Sequence, residues 1–385
     1  MAKRILISGA ISRLPLGGAG NTWAFLQYIL GLRRLGFETY YVEFLDPKAR
    51  IEEAGDSGDF SSCANARYFR AVMDRFALSD SMALVDLHGS GQIGCLSLAE
   101  INKLLPDIDL LINISGQFPL KSLLGKVCRR MYIDLDPGYS QIWQAQYGVD
   151  MNLPGHDVYV TVGLNLGKPS CPMPTCDIQW QVTLPPVVLS EWTTQNSPGT
   201  TYTTVADWRG YGPVEWGGVW YNQKADEFLR LIEFPQRTSV PLEICLAIHP
   251  DEADRVTLQQ NGWSLSSPQV FAATPDSYRD YIWSARGEFT VVKHGYAAGR
   301  TGWFSDRSAC YLAAGRPVIC QDTGIGEYVS TGAGLLTFTD LDSAVDAMSR
   351  VEQGYAQHAA AAAAFAREYL DSDRVLTRLL QLTGI

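Results

Sequence analysis

The residues from Gly302 to Cys320, GWFSDRSACYLAAGRPVIC, combine types that can hold a phosphate. Ser305 or Asp306 caps the first turn of a helix, and Arg307 adds a cation beside it. Gly315 suits the left-handed exit, and Pro317 opens the strand Val318-Ile319-Cys320. A helix start leaves backbone N–H groups free and carries the positive end of the helix dipole, so it attracts an anion. Just upstream, VVKHGYAAGRTGW sets Lys293, His294 and Arg300 among three glycines that allow close backbone approach, with Tyr296 and Trp303 as flat surfaces for a base or sugar. Two residues are candidates for moving a proton. Asp136 lies in YIDLDPGYSQIW, exposed at a strand end by the turn Pro137-Gly138, and His88 lies in VDLHGSGQ. Each has a plain structural alternative, as a turn-former or a satisfied imidazole. Asp134-Leu135-Asp136 matches only the letters of a metal-binding Asp-x-Asp, and no metal is expected.

These residues need strands and helices to place them. Ile5 to Ser8 reads as a strand, followed by a loop through Gly17-Gly18-Ala19-Gly20, then a helix from Thr22 to Leu35 capped by Asn21. Further strands are expected at 39–43, 110–114, 130–134 and 157–161. Their nearly continuous apolar runs suggest a parallel sheet covered on both faces. Gly-, Pro- and Thr-rich sequence from Gly163 to Thr203 interrupts the pattern. It then restarts with strands at 202–206, 242–248, 289–292 and 317–320, a helix over 224–233, and helices in the alanine-rich tail. Two successive doubly wound α/β units imply a cleft between them.

In its second half this pattern resembles the GT-B glycosyltransferases. Phe304, Ser305 and Gly315-Arg316-Pro317-Val318-Ile319 match the family's donor-binding segment. Asp322-Thr323-Gly324-Ile325-Gly326-Glu327 is similar to the turn that faces the donor sugar, which implies roles for Asp322 and Glu327. In one large class of the family an Arg and a Lys at a helix start clamp the donor diphosphate, which implies that role for Arg209 and Lys224. The glycine loop, with Gly18 and Gly20, then borders acceptor and donor sugar. It is too long for the G-x-G-x-x-G turn of a nicotinamide site. Cys310 stands where the family carries its ribose-holding carboxylate, and Gly302 where it carries a first Glu.

Composition agrees with a large globular protein. The 385 residues are 46% hydrophobic and 19% charged, enough for two cores. A net charge of -10 without a basic block argues against nucleic acid as a partner. No apolar run reaches the ~20 residues of a membrane span, and the start lacks a signal-peptide pattern. The eight cysteines contain one close pair, Cys171 and Cys176, without partners for a zinc site. A reducing cytoplasm is expected. The sequence thus implies two Rossmann-like doubly wound domains, 1–195 for the acceptor and 196–385 for the donor, with a last helix able to pack back on the first. The implied activity is metal-independent transfer of a sugar from a nucleoside diphosphate sugar, used as substrate with no cofactor, to a small-molecule, glycan or peptide acceptor. A nucleotide-sugar epimerase and a non-catalytic nucleotide-sugar-binding protein are the alternatives. Oligomeric state is not legible.

Overall fold

The structure, a computed structural model, describes residues 2–53, 56–88, 91–194 and 196–385. The expected domain limit at Gln195 lies outside the described residues. The first unit contains β1 (Arg4–Ser8), β2 (Glu38–Leu45), β3 (Met82–Asp86), β4 (Gln92–Gly94), β5 (Leu110–Ile114), β6 (Arg129–Asp134), β7 (Val158–Thr161) and β8 (Gln181–Val182). They form one sheet in the order β4-β3-β2-β1-β5-β6-β7-β8, parallel except for the β3–β4 pairing. Side chains alternate across a strand, so a strand apolar at every position must be covered twice. Ile5 and Ile7 accordingly join one core with Ile112 and Ile114, while Leu6 joins a second with Val42 and Leu111.

The second unit contains β9 (Tyr202–Asp207), a hairpin of β10 (Val214–Trp216) and β11 (Val219–Tyr221), then β12 (Leu242–Ala247), β13 (Ser264–Ser266), β14 (Gly287–Thr290), β15 (Val318–Gln321) and β16 (Leu335–Phe338). Its parallel sheet runs β13-β12-β9-β14-β15-β16. Without the edge strands β4 and β8, the two sheets follow the same Rossmann-like order. In each, the winding reverses beside the first strand, between β1 and β5 and between β9 and β14. The hairpin was unexpected. Gly217 and Gly218 both have positive φ, 60° and 78°, which a tight two-residue turn requires.

The first helix, Ala19–Arg34, starts three residues earlier than the sequence pattern suggests, with Gly18 at its cap position. Asn21 instead donates from Nδ2 to the Ala10 carbonyl at 2.7 Å and anchors the loop. The chain folds back tightly here. The Gly18 N–H reaches the Leu14 carbonyl at 3.0 Å, and a Cβ on Gly18 would lie 2.4 Å from that oxygen. The last helix, Ser372–Thr383, packs across this first helix, where the absent side chain of Gly31 leaves room for Leu376. Backbone bonds from Val187 to Leu370 (2.7 Å) and from Ser372 to Val187 (2.9 Å) hold the returning tail.

Candidate functional site

Parallel α/β sheets bind ligands beyond the carboxyl ends of their strands, at the reversal of winding. In the second unit that place is built by Asp207 at the end of β9, the segment after β14, and the helix Lys224–Arg230. Lys293, three residues beyond β14, reaches across to the first unit and pairs with Asp136 at 3.0 Å. Asp136 stands just past β6, where Gly138 at φ 89° turns the chain into the helix Tyr139–Ala145. Its Oδ1 accepts from Lys293, from Tyr211 at 2.6 Å and from Tyr296 at 2.5 Å. Among the described residues its Oδ2 takes no partner. Burial alone would push this carboxyl up, but the Lys293 ammonium and the phenols outweigh it and hold the group below its ordinary value. The Lys293 ammonium also lies over the rings of Tyr211, Tyr139 and Tyr296, at 3.7 to 5.4 Å. Trp303 stacks on Tyr296 with centroids 4.3 Å apart.

Lys224 is different. It is half-buried at the first position of its helix and has no hydrogen bond or ion pair with any described residue. Burial pushes its ammonium down to about 7, aided by repulsion from Arg307 and Lys293 and only partly opposed by Glu288 and Asp207. Ser305 caps the helix Asp306–Ala313, accepting from the Arg307 N–H at 3.2 Å. Arg307 turns inward as a strut. It bonds Glu288 at 2.5 Å and reaches Thr290 and the Val205 carbonyl at 2.8 Å, so three of its five N–H donors are used within the sheet. Gly315 takes the expected left-handed exit at φ 68°.

Other expected site residues are placed elsewhere. Arg209 does not join Lys224. It faces Asp254 at 2.7 Å and Glu252 at 3.7 Å, because those carboxylates lie before and at the start of the helix Asp254–Gln260. Gly18 and Gly20 do not border the Lys224–Lys293 cluster. Neighbouring Ala19 donates to the Ala272 carbonyl at 3.1 Å, Gly17 abuts Pro268, and Gly20 lies under Tyr278, so the glycines allow the two units to touch. His294 accepts from the Asn222 N–H at 3.2 Å and fixes the hairpin's exit. Arg300 approaches Glu327 at 3.4 Å and Asp322 at 3.9 Å, forming a separate half-exposed cluster. Asn165, after β7, holds this cluster's backbone through the carbonyls of Arg300 and Gly324, at 3.0 and 3.2 Å. His88 is exposed beyond β3, four strand positions from β6, or about 19 Å at ordinary spacing. It cannot share a proton with Asp136. Tyr211, Tyr139 and Asn165 were not singled out from sequence. Their signal is tertiary, since each acts across the two units.

The corresponding reversal point of the first unit opens on a cavity of 310 Å³ beside Arg13, Glu43, Asp46, Gln117 and Asp150. Glu43 is buried in its wall and accepts from the Ser12 N–H at 3.0 Å, the Ser12 hydroxyl at 2.7 Å and the Tyr41 hydroxyl at 3.1 Å. Burial raises this carboxyl to about 7 despite those donors. Among the described residues, no group of three or more His, Cys, Asp or Glu could hold a metal ion. No helix of the described residues is long and apolar enough to cross a membrane.

No protein-family description and no curated protein matches this sequence. Solved structures do. An α-glucosyltransferase in complex with UDP and a 13-mer DNA is similar over 100% of both chains, at 13% identity and a TM-score of 0.61. HepE of Anabaena, in complex with UDP and glucose, is similar over 100% of both at 13% identity and 0.58. AviGT4, a glycosyltransferase involved in avilamycin A biosynthesis, covers 98% of this chain and 96% of its own at 12% and 0.54. The likeness is one of architecture. This chain has the GT-B fold, two Rossmann-like units facing each other across a cleft.

Proposed function

We propose that this protein is a glycosyltransferase that moves a sugar from a nucleoside diphosphate sugar to a hydroxylated or aminated acceptor. The observation that carries this reading is Lys224: an ammonium kept half-buried, unpaired and repelled by two neighbouring cations at the ligand end of a Rossmann-like sheet. No carboxylate of the described residues forms an ion pair with it. An arriving diphosphate supplies that charge, with Lys293 and the start of the helix Asp306–Ala313 as its other contacts.

As the bond from sugar C1 to the diphosphate oxygen breaks, the departing group gains charge and these cations stabilise it. The acceptor oxygen or nitrogen bonds to C1 and gives up its proton. Asp136 Oδ2, the side of the carboxylate not engaged by Lys293, is the base proposed for that proton if configuration inverts. The positive charge comes from the protein, so turnover is expected to persist in excess EDTA. Loss on EDTA that magnesium restores would overturn metal independence.

UDP is the first probe, because the similar structures hold it. Lys224→Met should weaken UDP binding by about 10- to 100-fold, the loss of one charge-assisted contact. It should also raise the melting temperature, since a half-buried charge without a partner costs stability. Calorimetric titration and thermal melts check both, alongside GDP and dTDP. Wild-type affinity in Lys224→Met would remove Lys224 from the site.

A further inference from the structure

We propose that the hairpin β10–β11, with Tyr147 beside it, binds a glycan acceptor at a distance from the sugar unit that reacts. Trp220 is its stacking platform, and Glu215 and Tyr147 bond its hydroxyls. The inference rests on the glycosyltransferase reading above and names the acceptor's class. The hairpin belongs to the second unit but stands on the first. Val214 and Tyr221 pair across it and bury in one core with Tyr139 and Ile142, and the Trp216 indole N–H donates to the Pro172 carbonyl at 3.0 Å. Successive side chains of a strand point to opposite faces, so the neighbours Glu215 and Trp220 are turned outward, opposite one another. The two-residue turn Gly217-Gly218 closes on Trp216 and Val219. Glu215 and Trp220 are then a non-hydrogen-bonded pair, the kind whose side chains lie closest. The Glu215 N–H accordingly points away from Trp220, and it donates to the Tyr147 hydroxyl at 2.9 Å.

The chemistry of these three side chains selects the ligand. Trp220 is 54% exposed, and of the ten tryptophans it alone is exposed among the described residues. Tyr147 is 47% exposed, and its hydroxyl accepts from Glu215 while keeping a proton to donate. The Glu215 carboxylate has no hydrogen bond or ion pair with any described residue. A sugar ring has an apolar C–H face and a hydroxylated rim. The face covers the indole, and the rim donates to Glu215 and accepts from Tyr147. A wholly apolar partner would leave the carboxylate desolvated and unpaired, and an anion would be repelled by it. A bare cation would use Glu215 and the ring face but not the Tyr147 donor. Position links this surface to the reacting centre. Tyr211, whose hydroxyl bonds Asp136, lies three residues before β10, and Tyr147 lies two residues past the helix Tyr139–Ala145 that Asp136 precedes. That helix is about 10 Å long. One sugar ring does not span such a length, so an acceptor that meets both Asp136 and the hairpin is a chain of sugars.

Trp220→Ala and Glu215→Gln test the surface apart from the reaction, since neither side chain bonds Asp136, Lys224 or Lys293. Wild type and both variants are applied to an array of immobilised oligosaccharides and single sugars, and UDP is titrated calorimetrically against each. The wild type is expected to retain oligosaccharides in preference to single sugars. Trp220→Ala should weaken that binding about 10-fold and Glu215→Gln about 3-fold, with UDP affinity and melting temperature unchanged. Should Trp220→Ala melt below wild type, Glu215→Gln decides, and a wild-type array profile in it overturns the inference. Retention of no oligosaccharide, or equal retention by Trp220→Ala, overturns it as well and leaves the nucleotide-sugar reading standing where UDP binds. Trp220-dependent binding of choline or polylysine in place of glycans assigns the surface to a cation and overturns the inference. Trp220-dependent glycan binding in a wild type that takes up no nucleotide overturns the glycosyltransferase reading and leaves the surface's assignment intact.

Discussion

Glu43 near the first reversal point and Lys224 at the second reach the same pH from opposite sides. Burial raises one carboxyl to about 7 and lowers one ammonium to about 7. Their surroundings differ. Glu43 accepts from Ser12 and Tyr41 and thereby pins the loop between β1 and the first helix, whereas Lys224 has no partner among the described residues. Equal strand order therefore hosts unequal chemistry, a structural pin in one unit and an uncompensated charge in the other. A perturbed pKa points to a ligand when the group is also unpaired, and to architecture when its bonds are filled.

The largest effect is expected where the units meet. Asp136→Asn keeps the size of the side chain and removes its basicity, so turnover should fall by about 10²- to 10⁴-fold with UDP binding nearly intact. His88→Gln should leave turnover near wild type. A collapse in His88→Gln with normal turnover in Asp136→Asn would move the chemistry to the first unit's outer strands. Modest effects in both would indicate a retaining mechanism or another base.

A smaller effect sharpens the contrast at Lys224. Below about pH 7 its ammonium is already charged and meets a diphosphate directly; above that pH binding must first take up a proton. The dissociation constant of UDP should therefore rise by up to about tenfold per pH unit above neutrality. Lys224→Met should flatten the slope, and a flat wild-type profile would place the diphosphate elsewhere. Glu43 should be visible in stability instead. Its folded pKa of about 7 exceeds the ordinary 4.5, so its contribution is full below the lower value and is lost as pH rises through the higher. Wild-type stability should decline by roughly 3 kcal/mol across that interval, and Glu43→Gln should remove most of the decline in denaturant titrations. Identical pH profiles for variant and wild type would mean that the carboxyl titrates normally.

The alternation of short apolar runs with helical patterns made both Rossmann-like units legible, because strands covered on two faces leave a local signature. The capped helix start at Ser305 and the glycine exit at Gly315 were legible for the same reason. Short edge strands such as β4 and β13 carry too few residues to show a period. The hairpin was hidden by its aromatic residues, although Gly217-Gly218 was its signal. At the site, sequence supplied Asp136, Lys224 and Lys293 as candidates but not their relations. Nothing local states that Tyr211 and Tyr296 converge on Asp136, that Arg209 turns to Asp254, or that Gly18 and Gly20 serve contact between units. Those facts depend on which carboxylates and rings the other unit brings within reach.

The paired bonds at Val187 have a mechanical consequence. The backbone passes from the first unit to the second just beyond Val187 and comes back through Leu370 to Ser372, and these two passages lie side by side. Two adjacent strands bend easily together but resist being drawn apart or slid past one another. The two crossings therefore act as one ribbon, and any force that separates the units at this point must break both bonds together.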